Sequence, residues 1–498
     1  MRARGGRCGA APFGLALALL AAALGPPGAA AAGRDQRPNI LWIVVDDMSA
    51  DFGCDGGPLP TPHVDRLARE GTRFARAYTT APVCSPSRSA LVTGRYQTAI
   101  GAHHHRSGRG ALSIGLPPGV RPLPAILREA GYYTCSGDGL GPDGDGRLGK
   151  TDYNFRWEES IYDAADWSGR APGQPFFMQV MLPGGKLRGE SEESMRRLAA
   201  RAEAELGSAV SPADVVLPPT CPDDPVLRLD RAAYLDAVRL TDAHVGRVLS
   251  RLEREGLLDD TVVVFLADHG ISHARAKQFL YDEGTRIPLV VRGPGIPAGV
   301  VRDDLVAHID VAALSLGRAG IVTPGWMQAR DPFDPGGGRR DAVFAARDRC
   351  DETVDRIRSV RTDRWLYVRN FHPRRPLLQP NAYKDGKAIV RRLRALHEAG
   401  ALPEFHERLL FAPEREAEEL YDHQADPFQL ANLAADPAHA GLLDDLRGRL
   451  GAWMASCGDG GGEPEAMYDS DMRVYVGQGN PEVERNIALM KRWAAEGK

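Results

Sequence analysis

Two long apolar runs, each followed directly by an acidic residue, constrain what this chain can fold into. Asn39–Val45 (NILWIVV) and Thr261–Ala267 (TVVVFLA) contain no charged side chain, and Phe176–Leu182 (FFMQVML) is a third such run. Continuous apolar runs of this length are typical of strands buried on both faces of a parallel sheet. Strands separated by helices predict an α/β fold with crossover connections. The intervening helical patterns cover residues 61–70, 123–130 and 231–255.

The pattern changes after residue 345, where short strand-like runs lie among polar helices and loops. The chain has 498 residues, which at ~150 residues per domain suggests two or three domains. We expect an N-terminal targeting segment at 1–32 and a main α/β domain at 33–345. A smaller α+β subdomain at 346–457 and a C-terminal tail at 458–498 would complete the chain.

The first 32 residues have the features of a signal peptide. Arg2, Arg4 and Arg7 precede an apolar segment at 13–24, and alanines at 30–32 offer a cleavage site. The alternative is an uncleaved anchor helix. No later apolar run is long enough to span a bilayer. We therefore expect an exported protein, periplasmic or secreted, with no membrane span once the signal is cleaved.

The charge balance excludes one broad class of function. Lys and Arg total 62 and Asp and Glu total 66, giving a formal net charge of −4. A general nucleic-acid binder needs a basic surface to neutralise phosphates. Hydrophobic residues make up 43% of the chain, enough for the large core of a globular enzyme.

Acidic residues stand at the ends of two of the apolar runs. Asp46 and Asp47 follow the first run, and Asp268 and His269 follow the run that ends at Ala267. In open α/β sheets, ligands bind beyond the carboxyl ends of the strands, so these side chains should converge. Three carboxylates repel one another unless a cation lies among them. This set favours Ca²⁺ or Mg²⁺; acids that only cap helices or turns are the alternative.

The pentapeptide Cys84-Ser-Pro-Ser-Arg88 is the second candidate for chemistry. Pro86 is typical of a helix start, which would put Cys84 at a helix N-terminus, where backbone N–H groups favour an anion. Arg88, one turn later, has the geometry to bind an oxyanion. The alternative is an ordinary helix-start cysteine with a solvated arginine.

Together these residues resemble the type I sulfatases of the alkaline-phosphatase superfamily. The resemblance depends on the acidic pair at 46–47, the Cys-x-Pro-x-Arg at 84–88 with Thr-Gly-Arg at 93–95, Asp-His-Gly at 268–270 and the segment at 277–288. A late block at 419–433 is similar to that family's C-terminal subdomain. The resemblance implies an alkaline-phosphatase-like α/β/α sandwich, with a mixed, mostly parallel central sheet and a smaller C-terminal α+β subdomain.

The same resemblance implies a mechanism. A formylglycine-generating enzyme would oxidise Cys84, and the hydrated product would attack sulfur and later expel sulfate. Arg88 would hold the site together and Lys277 would bind a sulfate oxygen. The resemblance implies a divalent ion, Ca²⁺ or alternatively Mg²⁺, bound by Asp46, Asp47, Asp268, His269 and the modified Cys84.

Two segments depart from the family's pattern. Where a Gly-Lys-Trp-His-like segment is usual, this chain has Gly149-Lys150-Thr151-Asp152. Lys150 matches the family's lysine, whereas Asp152 replaces a histidine. After the strand at 176–182 a Pro-His pair is usual, but here Lys186 follows Pro-Gly-Gly. A lysine is a poorer proton donor at neutral pH than a histidine, so these changes bear on leaving-group protonation and substrate type.

Two further histidines are candidates for contacting substrate. His273 lies between the Asp268-His269 pair and Lys277, and His105 ends a run of three histidines. The resemblance implies a sulfatase acting on sulfate esters, or on sulfamates, of carbohydrates. Hydrolysis of phosphoesters or phosphonates by a similar metal site is one alternative. A non-catalytic protein that binds sulfated glycans is the other, suggested by the two missing histidines.

Overall fold

The computed structural model describes residues 37–142 and 147–498. The predicted signal peptide at 1–32 and the first residues of the predicted main domain lie outside this range. Within the described residues, no helix is both long and apolar enough to cross a membrane.

A mixed sheet forms the centre of the main domain. Across the described ranges it has seven strands in the order β3-β4-β1-β5-β6-β2-β7. Neighbouring strands run parallel, except that β6 is antiparallel to both β5 and β2. This confirms the predicted mixed, mostly parallel sheet. The strands are β1 Asn39–Val45, β2 Thr72–Tyr78, β3 Tyr133–Gly137, β4 Phe176–Leu182, β5 Thr261–Ala267, β6 Leu289–Arg292 and β7 Val300–Ala307.

Strand β1 lies at the middle of the sheet and sets the position of the acidic residues. All of its residues are buried, and it pairs in parallel with β4 and β5, with Val45 opposite both Leu182 and Ala267. The Asp46 N–H donates to Leu182 O at 3.1 Å, and the Asp268 N–H donates to Val45 O at 3.0 Å. Asp46 and Asp268 therefore leave the sheet at the same edge.

Helices cover the sheet and contribute to its hydrophobic core. The longest, α5, begins where the Asp224 carboxylate accepts from the Val226 N–H at 2.9 Å and Pro225 occupies the first helical position. It packs against α1 and α4. The helices are α1 Pro62–Glu70, α2 Cys84–Thr93, α3 Leu123–Glu129, α4 Glu192–Leu206, α5 Pro225–Arg254, α6 Asp282–Thr285, α7 Asp310–Arg318, α8 Ala382–Asp385, α9 Ala388–Glu398, α10 Glu404–Phe411, α11 Ala440–Ser456, α12 Glu465–Val476 and α13 Pro481–Ala495.

A second, antiparallel sheet follows in the C-terminal part of the described chain. Its order is β11-β10-β9-β8, and one face packs with α11 into a separate core. This confirms the predicted smaller α+β subdomain. The predicted boundary at residue 345 falls inside β8, and the division into domains stays a prediction. The strands are β8 Val343–Arg347, β9 Ile357–Arg361, β10 Trp365–Asn370 and β11 Glu418–Asp422.

Candidate active site

The acidic residues and Cys84 meet at the carboxyl edge of the central sheet. Asp47 adopts a left-handed backbone conformation with φ of 54°, and its N–H donates to Asp268 Oδ1 at 3.1 Å. This turn directs the Asp47 side chain toward Cys84, the first residue of α2. Helix α2 thus begins two residues before Pro86, and Cys84 lies at its N-terminus.

Arg88 joins the two strand ends. Its side chain is 2% exposed and pairs with both Asp46 and Asp268, through Nε to Asp268 Oδ2 at 3.1 Å. It also donates to Lys150 O at 3.1 Å. Burial disfavours its charge, but the two aspartates raise the pKa of Arg88 above its ordinary value. The arginine therefore stays charged and holds the two acidic strand ends together.

Three lysine ammonium groups surround the acidic cluster. Lys150 Nζ lies 2.8 Å from Asp46 Oδ2, and Lys186 donates to the same oxygen. Lys277, which is 2% exposed, donates to Asp47 Oδ1 at 2.9 Å. Although burial works against ionisation, Arg88, Lys150 and Lys186 hold the pKa of Asp46 well below its usual range.

Two glycines bring Lys186 to this site. A Cβ at Gly184 would lie 2.3 Å from Asp46 O, and one at Gly185 would lie 2.2 Å from Asp47 O. The chain after β4 can approach the acidic turn this closely only without side chains at these positions. The Pro-Gly-Gly-Lys segment therefore puts an ammonium group where family members usually have a histidine after proline.

Cys84 is buried among cations. Its Sγ lies 3.3 Å from His269 Nε2, 3.4 Å from Lys277 Nζ and 3.6 Å from Lys186 Nζ. Burial alone would raise the pKa of the Cys84 thiol, but the surrounding lysines and His269 lower it well below its ordinary value. Position 84 therefore stabilises negative charge on its side chain, as a nucleophile needs.

The acidic cluster fits a divalent cation. Among the described residues, Asp47 Oδ2 is buried without a hydrogen-bond partner. His269 Nδ1 donates to Gly270 O at 2.9 Å, since a carbonyl only accepts. Burial opposes a charge on this ring, but Asp268 and Cys84 raise the pKa of His269, so a cation that binds Nε2 would displace a proton from it. One ligand atom each from Asp47, Cys84 and His269 lie within 4.8 Å of one another. Carboxylates with one imidazole suit a hard divalent ion.

A cavity of about 270 Å³ opens from Cys84. His105 lies in its wall, with Nδ1 at 3.0 Å from Asp351 Oδ1 and Nε2 unpartnered among the described residues. Burial opposes its charge, but Asp351 raises the pKa of His105 above the ordinary value. Asp351 also accepts from Tyr475 on α12 at 3.0 Å. The C-terminal tail therefore supports the pocket wall.

Two other predicted residues differ in their distance from Cys84. One ligand atom each of Asp152, His105 and Cys84 lies within 4.8 Å of the other two, whereas His273 lies elsewhere. Asp152 is 3.1 Å from Arg109 and 3.7 Å from Lys150, so it compensates cations at the pocket edge. His273 is not brought to the Cys84 pocket. Its ring lies 3.9 Å from Cys221 Sγ and lines a neighbouring cavity.

Sequence reasoning missed several residues of the pocket wall. Asp351 and Tyr383 come from the C-terminal half, and Lys277 Nζ lies 3.4 Å from Tyr383 Oη. No local motif marks them, because they stand in irregular segments and a short helix far along the chain. The remaining side chains of the pocket wall that the sequence did not indicate are Arg106, Arg188, Glu190, Ser272 and Lys387.

Comparisons with known proteins agree with this geometry. Residues 38–321 match the sulfatase family, and residues 269–374 match the family described as N-sulphoglucosamine sulphohydrolase, C-terminal. An ulvan-active sulfatase of Formosa agariphila is 32% identical, over 89% of this chain and 81% of its own. The N-sulphoglucosamine sulphohydrolase of Homo sapiens is 28% identical, over 84% and 90%.

A solved structure shows the same fold. BT4656, in complex with its substrate D-glucosamine-2-N,6-O-disulfate, superposes with a TM-score of 0.60 at 18% identity, over 85% of this chain and 98% of that one. The family match covers more than half of the chain, and one relative exceeds 30% identity over most of its length. The chain therefore belongs to the type I sulfatases of the alkaline-phosphatase superfamily, a family of sulfuric ester hydrolases.

Proposed function

We propose that this protein is a carbohydrate sulfatase that hydrolyses a sulfate ester or sulfamate of a sugar, with Cys84 matured to formylglycine. The observation that carries the proposal is the position of Cys84. Its buried Sγ lies within 3.6 Å of His269 Nε2 and two lysine ammonium groups, beside the acidic cluster. The names of the ulvan-active and N-sulphoglucosamine relatives support a sulfated sugar as substrate.

The acidic cluster would hold the metal. When bound, a divalent ion supplies positive charge that activates a hydroxyl and neutralises sulfate oxygens. Hydrated formylglycine at position 84 would supply the nucleophilic hydroxyl. Ca²⁺ is the ion we propose, with Mg²⁺ as the alternative, because the ligands are mainly carboxylate oxygens. The ligands would be Asp46, Asp47, Asp268, His269 and the modified residue 84.

The surrounding cations orient the sulfate group. Lys277 and Lys186 lie 3.4 and 3.6 Å from Cys84 Sγ, and both would bind sulfate oxygens. Lys150 adds a third ammonium group beside Asp46. Arg88 keeps the strand ends fixed while charge moves at the neighbouring groups, which limits the reorganisation that the reaction requires.

The rest of the substrate would occupy the cavity beyond Cys84. His105 presents an unpartnered Nε2 to this space and is held by Asp351, so it would hydrogen-bond the sugar near its leaving oxygen. Lys186 takes the place of the family's histidine after β4 and also faces the reacting group. His273 lies in another cavity, and we give it no role.

We further propose that the protein is exported and matured by a partner enzyme. The basic and apolar N-terminal segment supports export to the periplasm or the exterior. The Cys-x-Pro-x-Arg sequence at 84–88 supports recognition by a formylglycine-generating enzyme, which would act before the chain folds, because Cys84 is 3% exposed.

One alternative has a specific observation in its favour. Three lysines and one arginine pair with the three carboxylates of the cluster and exceed them by one positive charge, to which a bound divalent ion would add two. A dianionic phosphate monoester would use that excess. Rates on 4-nitrophenyl sulfate and 4-nitrophenyl phosphate, measured with the same preparation, separate the two functions, and we expect the sulfate to react faster.

The test of the proposed function is sulfate release from sulfated saccharides by protein matured in its native host. We expect turnover by the wild-type protein and none by Cys84→Ala. Arg196→Ala, on the exposed side of α4, is the matched surface control and should keep full activity. Binding of the saccharide without turnover by the wild-type protein would support the non-catalytic glycan binder and contradict the proposal.

A further inference from the structure

A second group of polar side chains lines the pocket beyond Cys84, in addition to the lysines that we propose bind sulfate. Arg106, Arg188, Ser272 and Lys387 all line it. Among the described residues, none of these four side chains forms a hydrogen bond or ion pair with Asp46, Asp47 or Cys84. They therefore face the part of the pocket that holds the rest of the sugar.

Two of these side chains are buried with unsatisfied polar atoms. Arg188 is 2% exposed; its Nε pairs with Asp230 at 3.1 Å and its Nη2 donates to Ser272 O at 2.6 Å. Among the described residues, neither Arg188 Nη1 nor the equally buried Ser272 Oγ has a hydrogen-bond partner. Asp230 Oδ2 also lacks a hydrogen-bond partner among the described residues. Buried polar groups are almost always paired, so the two unpaired donors of Arg188 and Ser272 point to a ligand or ordered water that supplies an acceptor.

Two cations with loose partners lie at the rim of the same pocket. Arg106 Nε is 3.9 Å from Asp152, which Arg109 contacts more closely at 3.1 Å. Lys387 Nζ is 3.8 Å from Glu190, whose side chain is 55% exposed. Ion pairs this long leave both cations able to bind another anion.

We propose that the pocket binds a sugar carrying a second anionic group, a carboxylate or a further sulfate, besides the sulfate that is removed. Arg188 Nη1 and Ser272 Oγ would donate to its oxygens, and Arg106 and Lys387 would supply charge at the rim. The inference deepens the proposed function and depends on it. The cavity of about 270 Å³ is at the small end for ligand sites, so a single sugar residue fits best.

The test compares three matched methyl glycosides with the wild-type protein: a monosulfated hexose, its disulfated form and the corresponding monosulfated uronic acid. We expect kcat/KM for at least one doubly charged sugar to exceed that for the monosulfated hexose about tenfold or more, mainly through KM. Preference for the uronate identifies a carboxylate, and preference for the disulfated hexose identifies a second sulfate. Equal kcat/KM for all three overturns the inference.

Variants connect the preference to these residues. Lys387→Ala and Ser272→Ala should each reduce it several-fold, and Arg106→Ala with Lys387→Ala should reduce it about tenfold. Arg196→Ala on α4 should keep the wild-type preference. A preference that survives all of these variants overturns the assignment, and ordered water alone would then satisfy Arg188 and Ser272.

Failure of this inference is distinguishable from failure of the proposed function. If wild-type protein hydrolyses 4-nitrophenyl sulfate and Cys84→Ala does not, the sulfatase chemistry stands whatever the sugar preference. If neither protein releases sulfate from any substrate, the proposed function fails and the inference fails with it.

Discussion

Removing Arg88 should destabilise the protein and abolish turnover, because this side chain neutralises two buried carboxylates. In Arg88→Ala, Asp46 would keep two lysine partners, whereas Asp268 would lose its arginine. Asp268 would retain the Asp47 N–H and its contact with the His269 ring. Breaking a buried pair costs about 3–5 kcal/mol. Since only one carboxylate loses its strong cation, we expect about 3 kcal/mol.

The assay is urea-induced unfolding monitored by tryptophan fluorescence, with sulfate release measured on the same protein preparations. Arg251→Ala is the matched control: Arg251 is also buried and forms a bidentate pair with Asp166, at 2.5 and 2.9 Å, away from Cys84. Both variants should lose a similar free energy of unfolding, but only Arg88→Ala should lose activity. Wild-type turnover by folded Arg88→Ala, or an unchanged free energy of unfolding, would refute the reasoning.

Three further predictions follow from the site and the core. Lys277→Ala should lower kcat roughly 10²–10³-fold, because a buried donor to the developing charge is lost; wild-type sulfate release would contradict this. Exhaustive chelation should stop turnover and lower the urea midpoint, and added Ca²⁺ or Mg²⁺ should restore both; full activity in metal-free protein by elemental analysis would count against the metal. Burial raises the pKa of Asp242 to about 6, so ionising it costs native stability as pH rises from about 4 to 6. Asp242→Asn should remove a pH-dependent loss of about 3 kcal/mol in the free energy of unfolding. A urea midpoint that changes equally between pH 4 and pH 7 in the wild-type protein and in the variant would contradict this.

The strands that the sequence predicts best are those with the simplest environment. Strands β1, β4 and β5 are apolar on both faces, and their predicted ends coincide with the observed ends. Strands β2 and β7 were not predicted. Thr72–Tyr78 contains two arginines, and β7 carries Val301 at 57% exposure. Strand β7 forms one edge of the sheet and β2 lies next to it. In both strands charged residues at the less buried positions interrupt the apolar pattern.

The residues of the candidate site also divide into those that the sequence indicates and those that it does not. Residues in short motifs at strand or helix ends, such as Asp46 and Cys84, were predicted because the sheet edge positions them. Asp351 and Arg188 were not, because their places depend on how distant segments pack; the His105–Asp351 contact spans 246 residues. His273 shows the converse: closeness in sequence to Lys277 does not place its ring in the same pocket.

The most direct test of the central claim is the mass of the tryptic peptide covering residues 77–88, from protein exported by its native host. The account predicts an aldehyde in place of the Cys84 thiol, in a fraction of molecules that rises with specific activity across preparations. An unmodified thiol throughout, in protein that still releases sulfate, would contradict the formylglycine mechanism.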